Sequence, residues 1–186
     1  MSVAAWIATL LGAVLVIYVI VVFNRLVRLR NMTREGWSGI DVQLRRRSDL
    51  IPNIVATVKG YAQHEQSLLE EVTARRAASM TASGVAEQEQ AEGALTGALG
   101  RLFAVAEAYP ELRADANFRA LQSELTDTED QIQMARRYYN GCVRELNTLI
   151  ESFPSVLVAK PFGFKQASYF ALDSADQAAV PQVSLS

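Results

Sequence analysis

From Ala4 to Phe23 the chain runs for twenty residues without a charge, and this run constrains the rest of the reading. As a helix it rises about 30 Å, the thickness of a bilayer's hydrocarbon core. In lipid a helix is the form in which a single segment satisfies its own backbone hydrogen bonds. A cleaved secretory signal fits poorly. No Lys or Arg precedes the run, the run is too long, and it ends in Phe23-Asn24-Arg25 instead of small residues. No Cys follows that would carry a lipid. The expectation is one uncleaved transmembrane helix, with the lipid bilayer as its first partner.

All 38 charged side chains follow Asn24, so an oily segment precedes an ordinary water-soluble domain. Arg25, Arg28, Arg30 and Arg34 lie within eleven residues of the apolar end. By the positive-inside bias these membrane-proximal basic residues hold their side in the cytoplasm. The expected topology puts the N-terminus outside and the C-terminal domain in the cytoplasm. Ala4, Ala8 and Gly12 form a small-xxx-small face through which two spans can approach, so a homo-oligomer is a candidate assembly.

Beyond the span the apolar spacing is helical. Phe118, Leu121, Leu125, Thr128, Ile132, Ala135, Tyr139, Cys142, Leu146, Leu149 and Phe153 step by three and four, as the a and d positions of a coiled coil do. This predicts a helix over Asp115–Phe153, capped by Asp115 or Asn117 and stopped by Pro154. A first helix continues from the span to about Ser48. A second starts at Ser48 or Asp49 with Pro52 in its first turn and fades near Ser79–Gly84; Pro52 marks either a chain reversal or a kink. A third covers Val85–Ala108. The fold expected is all-α, a single N-terminal transmembrane helix followed by an antiparallel four-helix bundle of long helices. The domains are a 1–24 anchor, a 25–172 bundle and a 173–186 loose tail, with the apolar stretch after Pro154 packed along the outside of the bundle.

Three ordered blocks of residues resemble the LemA family. The first is Arg30-Asn31, Gly36-Trp37-Ser38 and Ile40 to Arg47, then Asp49-Leu50-Ile51-Pro52-Asn53, Val58-Lys59-Gly60-Tyr61 and His64-Glu65. The second runs from Ala104 to Leu112 and on to Phe118 and Leu121-Gln122; the third holds Ala135 to Asn140, Phe153-Pro154 and Phe162-Gly163-Phe164. The resemblance covers roughly residues 20–170. It implies a bacterial membrane protein with an N-terminal span, an outside N-terminus and a helical-bundle domain. It also implies magnetosome-membrane relatives and association with membrane proteins, membrane proteases among them. It carries over no catalytic residue.

The residues themselves point away from several chemistries. His64 is the only His, so neither a zincin pair nor a paired Glu-x-x-His centre can be built, and no metal or cofactor is expected. Cys142 is the only Cys and falls on the heptad stripe, which reads as an inert core thiol. Gly93, Gly97 and Gly100 lack the Gly-Lys-Ser/Thr of a phosphate loop. Glu70-Glu71 and Glu129-Asp130 read as solvated faces. Basic and aromatic residues do not interleave, and Trp37, Tyr138 and Tyr139 read as core, so no nucleic acid is expected. Residues 25–47 hold seven Arg and two acids, net +5, against net −7 over 48–186. Arg45, Arg46 and Arg47 fan through about 200° of the first helix, so one should meet the acidic bundle and the others are candidates for partner contact. The function expected is a non-enzymatic scaffold or adaptor acting by protein–protein contact, with an oligomeric membrane-shaping protein as the alternative.

Overall fold

The computed structural model describes residues 2–171, and all regular structure among them is helical. The helices are α1 (Val3–Tyr61), α2 (Gln66–Thr81), α3 (Val85–Ala106), α4 (Pro110–Ala114), α5 (Ala116–Glu151) and α6 (Val156–Ala159), with a 3-10 turn at Gln63–Glu65. The expected tail at 173–186 lies outside the described residues. Two compact units form: residues 2–40 with 135–169, and residues 41–134 with 170–171.

The second unit is the four-helix bundle. Leu50, Ile51, Ile54 and Val58 of α1 share a core with Leu69 and Val72 of α2, Leu95, Leu99 and Leu102 of α3, and Phe118 and Leu125 of α5. Each such fully buried side chain contributes about 1.5–3 kcal/mol of transfer free energy. The connections are short, so successive helices reverse direction. Gly84, at φ +81°, begins α3 in a backbone conformation that L side chains avoid. Asp115 caps α5 as expected, its Oδ1 accepting the Phe118 N–H at 2.8 Å.

The first reversal differs from expectation. Pro52 neither reverses the chain nor opens a second helix, for α1 continues through it to Tyr61, and the turn comes at Ala62–Glu65. A proline inside a helix leaves the carbonyl four residues earlier without its donor. Here that carbonyl is Ser48's, and Arg76 of α2 takes the vacant place, Nε donating to Ser48 O at 2.7 Å. A tertiary bond replaces the lost helical one, so α1 is not forced to end.

In the first unit, Val22, Leu26 and Leu29 of α1 pack with Leu146 and Ile150 of α5 and with Val158, Ala159 and Phe164 beyond it. Gly36 lets α1 and α5 approach closely: a Cβ there would meet Tyr139 Cα at 3.2 Å. The segment after Pro154, expected along the outside of the bundle, folds instead against this α1–α5 pair. Asn147 anchors it, its amide exchanging two hydrogen bonds of 2.9 Å with the Ala167 backbone, while the Tyr139 hydroxyl donates to Ser168 O at 2.7 Å.

Along α5 the predicted stripe is inside at Phe118, Leu125, Thr128, Ile132, Tyr139, Cys142 and Leu146. Phe153 departs from it: α5 stops at Glu151, and Phe153 is 81% exposed. Beside the buried Ile132, Gln133 is half-buried and Gln131 and Met134 are exposed.

Candidate functional site

The α1 helix supplies the membrane element. Its apolar stretch has a mean hydropathy of 2.7 and only 6% of it is buried by the protein, so it is long and apolar enough to cross a bilayer and is not a core helix. Arg25, Arg28, Arg30 and Arg34 are all exposed just after it. At 100° per residue, Arg25 and Arg28 stand about 60° apart on one flank of the buried Val22–Leu26–Leu29 stripe, and Arg30 and Arg34 about 40° apart on the other. The Arg30 guanidinium lies over the Phe164 ring, 5.2 Å from its centroid. The four form a collar around the helix.

Of the three arginines considered for partner contact, the structure separates one from the others. Arg45 is exposed and pairs with Asp41 one turn earlier at 2.9 Å. Arg46 reaches Glu124 of α5 at 3.4 Å with both side chains about half exposed. Such surface pairs contribute little, about 0–1 kcal/mol. Arg47 is wholly buried. Its guanidinium binds the Glu92 and Glu129 carboxylates and donates to Thr96 Oγ1 at 3.1 Å. Glu92, equally buried, also accepts from the Ser79 hydroxyl and from Gln88 Nε2 at 2.8 Å. Arg47 is therefore a residue of the fold and not of a partner surface. Glu129, expected on a solvated face, is its second partner. The planar, five-donor guanidinium is what allows one side chain to serve two carboxylates and a hydroxyl.

Sequence reasoning missed a groove of about 720 Å³ between the end of α1 and the outer side of α2. Val55 and Leu69 give it an apolar floor, Thr73, Ala74 and Ala77 keep one wall low, and Lys59 and Glu70 stand at its rim. The available signal was the set of small residues Thr73, Ala74, Ala77 and Ala78 on an otherwise polar helix. Small residues at three- and four-residue spacing let another helix come close.

The other titratable groups have local explanations. Tyr61, at the end of α1, donates to Asp115 Oδ2 at 3.0 Å. The Phe118 N–H, then this hydroxyl, hold the Asp115 carboxyl below its ordinary pKa, and the carboxylate in turn raises Tyr61. The neighbouring Cys142 sulfur raises Tyr138, and burial raises Tyr139. Tyr139 and Trp37 stack tilted at 5.5 Å in the first unit, whereas Tyr138 is half exposed. Cys142 is buried and His64 exposed in the turn after α1. Among the described residues, no three His, Cys, Asp or Glu side chains are grouped so as to hold a metal ion.

Comparison with known proteins gives a family match and several relatives. The LemA family profile matches residues 36–185. Two magnetosome proteins of Paramagnetospirillum magneticum, MamQ 1 and MamQ 2, are each 28% identical over 91% of this chain and 69% of their own length. The protein LemA of Metamycoplasma hominis is 24% identical over 79% of the chain and 68% of its own length.

Proposed function

The chain belongs to the LemA family and is a membrane-associated helical protein, and from that premise we propose that it is an inner-membrane adaptor. It holds its bundle in the cytoplasm and acts there by protein–protein contact, without chemistry of its own. The observation that carries the adaptor reading is the groove on α2. An open apolar trough, with small residues on one wall and one charge of each sign at its rim, suits an amphipathic helix laid into it. The partner is a helical segment of another membrane protein, a membrane protease being one such protein. The topology rests on the arginine collar, since positive charge flanks the span on that side. The lone exposed His64 and the buried Cys142 supply no nucleophile–base pair.

A photo-crosslinker at Thr73 in cells should trap a discrete partner. Ala74→Arg/Ala77→Arg, both on exposed positions, should abolish the crosslink while leaving helical content unchanged. Trapping that survives these arginines would remove the groove from the function. One observation favours a second reading, an oligomer that shapes the membrane: Ala4, Ala8 and Gly12 are all uncovered on α1. Sedimentation of the detergent-purified chain separates the two, a small discrete species supporting the adaptor and large rings or filaments the oligomer.

A further inference from the structure

We infer that the tip formed by the end of α5 and α6 is a second membrane contact, inserted into the bilayer interface beside the point where α1 leaves it. The inference rests on α1 crossing the membrane through its uncharged run and adds an attachment point that the run alone does not show.

Three large apolar side chains at this tip have no cover. Phe153 is 81% exposed, Leu157 66% and Phe162 56%. They are not scattered singly over the surface, as exposed apolar residues often are, but gathered at one end of the first unit. Their level along α1 is fixed by packing. Gly36 lies against Tyr139. Since α1 and α5 run antiparallel here and rise equally, the end of α5 at Glu151, twelve residues beyond Tyr139, falls beside about residue 24 of α1, and Phe153 lies just past that end. Ring contacts agree: Phe23 meets Phe162 edge-on at 5.0 Å and Phe164 at 5.8 Å. Tyr18 and Val19 also pack on the apolar cluster that contains Val158 and Ile150.

Residues 18–23 belong to the uncharged run, and the first cation after them is Arg25. The tip therefore lies on the lipid side of the arginine collar. A helix crossing the bilayer through this run cannot keep Phe153, Leu157 and Phe162 in bulk water. Residues 18–23 span about 8 Å of helix axis, which matches the 5–10 Å to which interfacial segments enter the headgroup and acyl boundary. Lys160 and Lys165 are exposed in the same segment. Their long stems allow the ammonium groups to reach the headgroups while the apolar neighbours stay below. The occupant of this patch is thus the lipid interface and not a protein.

The test uses the full chain in vesicles containing lipid brominated near the top of the acyl chain, and reads tryptophan quenching. Three single-tryptophan proteins are compared: Trp6 alone (Trp37→Phe), and Leu157→Trp and Glu145→Trp, each with Trp6→Phe and Trp37→Phe. Glu145 is exposed on α5 about two turns before the tip. Quenching of Trp6 and of position 157 by at least half, with position 145 quenched by less than a tenth, is the result expected. Quenching of Trp6 without quenching at 157 overturns the inference and leaves the span intact. No quenching at Trp6 refutes the span itself, and the inference falls with it. Equal quenching at 145 and 157 also overturns it, since the contact would not be confined to the tip. If Leu157→Trp loses helical signal, Phe162→Trp, an aromatic exchange at an exposed position, replaces it with the same outcomes.

Discussion

The bond from Arg76 to the Ser48 carbonyl invites a quantitative test, because it exists to serve a carbonyl that Pro52 orphans. Ser48 is buried, at 3% exposure, and its carbonyl accepts Arg76 Nε at 2.7 Å. Arg76→Leu removes the donor and keeps the apolar stem. A buried carbonyl left unpaired costs about 1–3 kcal/mol; taking about 2 kcal/mol, the thermal midpoint should fall by about 4–8 °C for a chain of this size. Pro52→Ala restores an N–H that can bond Ser48 O within the helix. In that background the same Arg76→Leu change should cost no more than about 0.5 kcal/mol, the ordinary error of additivity. The four proteins, purified in one detergent, would be compared by the far-ultraviolet helical signal on heating and by urea titration. An undiminished Arg76→Leu loss in the alanine background would refute the reasoning, because the arginine would then act by something other than replacing the missing helix bond.

Glu92→Leu should destabilise the bundle by about 3–5 kcal/mol by leaving Arg47 buried with a single carboxylate partner, while Arg47→Met/Glu92→Leu should recover at least half of that loss in urea titration; full additivity of the two changes would sink the ion-network account. Asp115 is held below the ordinary carboxylate pKa of 3.8, so its stabilisation is complete above that value and is lost as pH falls through the lower folded one. The midpoint difference between the wild-type chain and Asp115→Ala should therefore hold steady from neutral pH to about 5 and narrow below 3.8; a gap unchanged across that range would show that the charge on the cap contributes nothing.

Much of the fold was legible because apolar periodicity reports burial directly. The α5 stripe could be read that way, and the Asp115 cap from the residue type at its start, whereas the irregular stretch after Pro154 carries no period that says which helices it packs on. Pro52 was misread as a possible boundary because local sequence shows the missing N–H of a proline but not the distant side chain that compensates for it. Arg76 lies 28 positions from Ser48, and nothing in its own surroundings marks it as a backbone partner. Charge balance showed that one of Arg45, Arg46 and Arg47 should meet the acidic bundle, as Arg47 does, but not which of the three would be buried. In sequence Arg47 stands in a run of three arginines, and only the placement of Glu92 and Glu129, each more than forty residues away, buries it. The groove on α2 was missed because small residues on a polar helix usually report nothing more than helix propensity.

One residue type thus does four kinds of work along this chain, and position alone decides which. Where α1 leaves the uncharged run, arginine stands exposed around the helix, Arg30 with its guanidinium over the Phe164 ring. At Arg45 and Arg46 it makes exposed pairs that neighbouring solvent can replace. At Arg47 it lies among two carboxylates and a hydroxyl, where its loss would leave charges without partners. At Arg76 it gives the in-plane Nε–H of the guanidinium to a backbone carbonyl. Lysine has no counterpart to the last two arrangements, since an ammonium offers neither a forked pair of donors nor the Nε–H that reaches Ser48. A conservative Arg→Lys exchange should then be nearly silent at Arg45 and Arg46 and damaging at Arg47 and Arg76. That separation follows from the geometry of the donors and not from charge, which is the same in all four places.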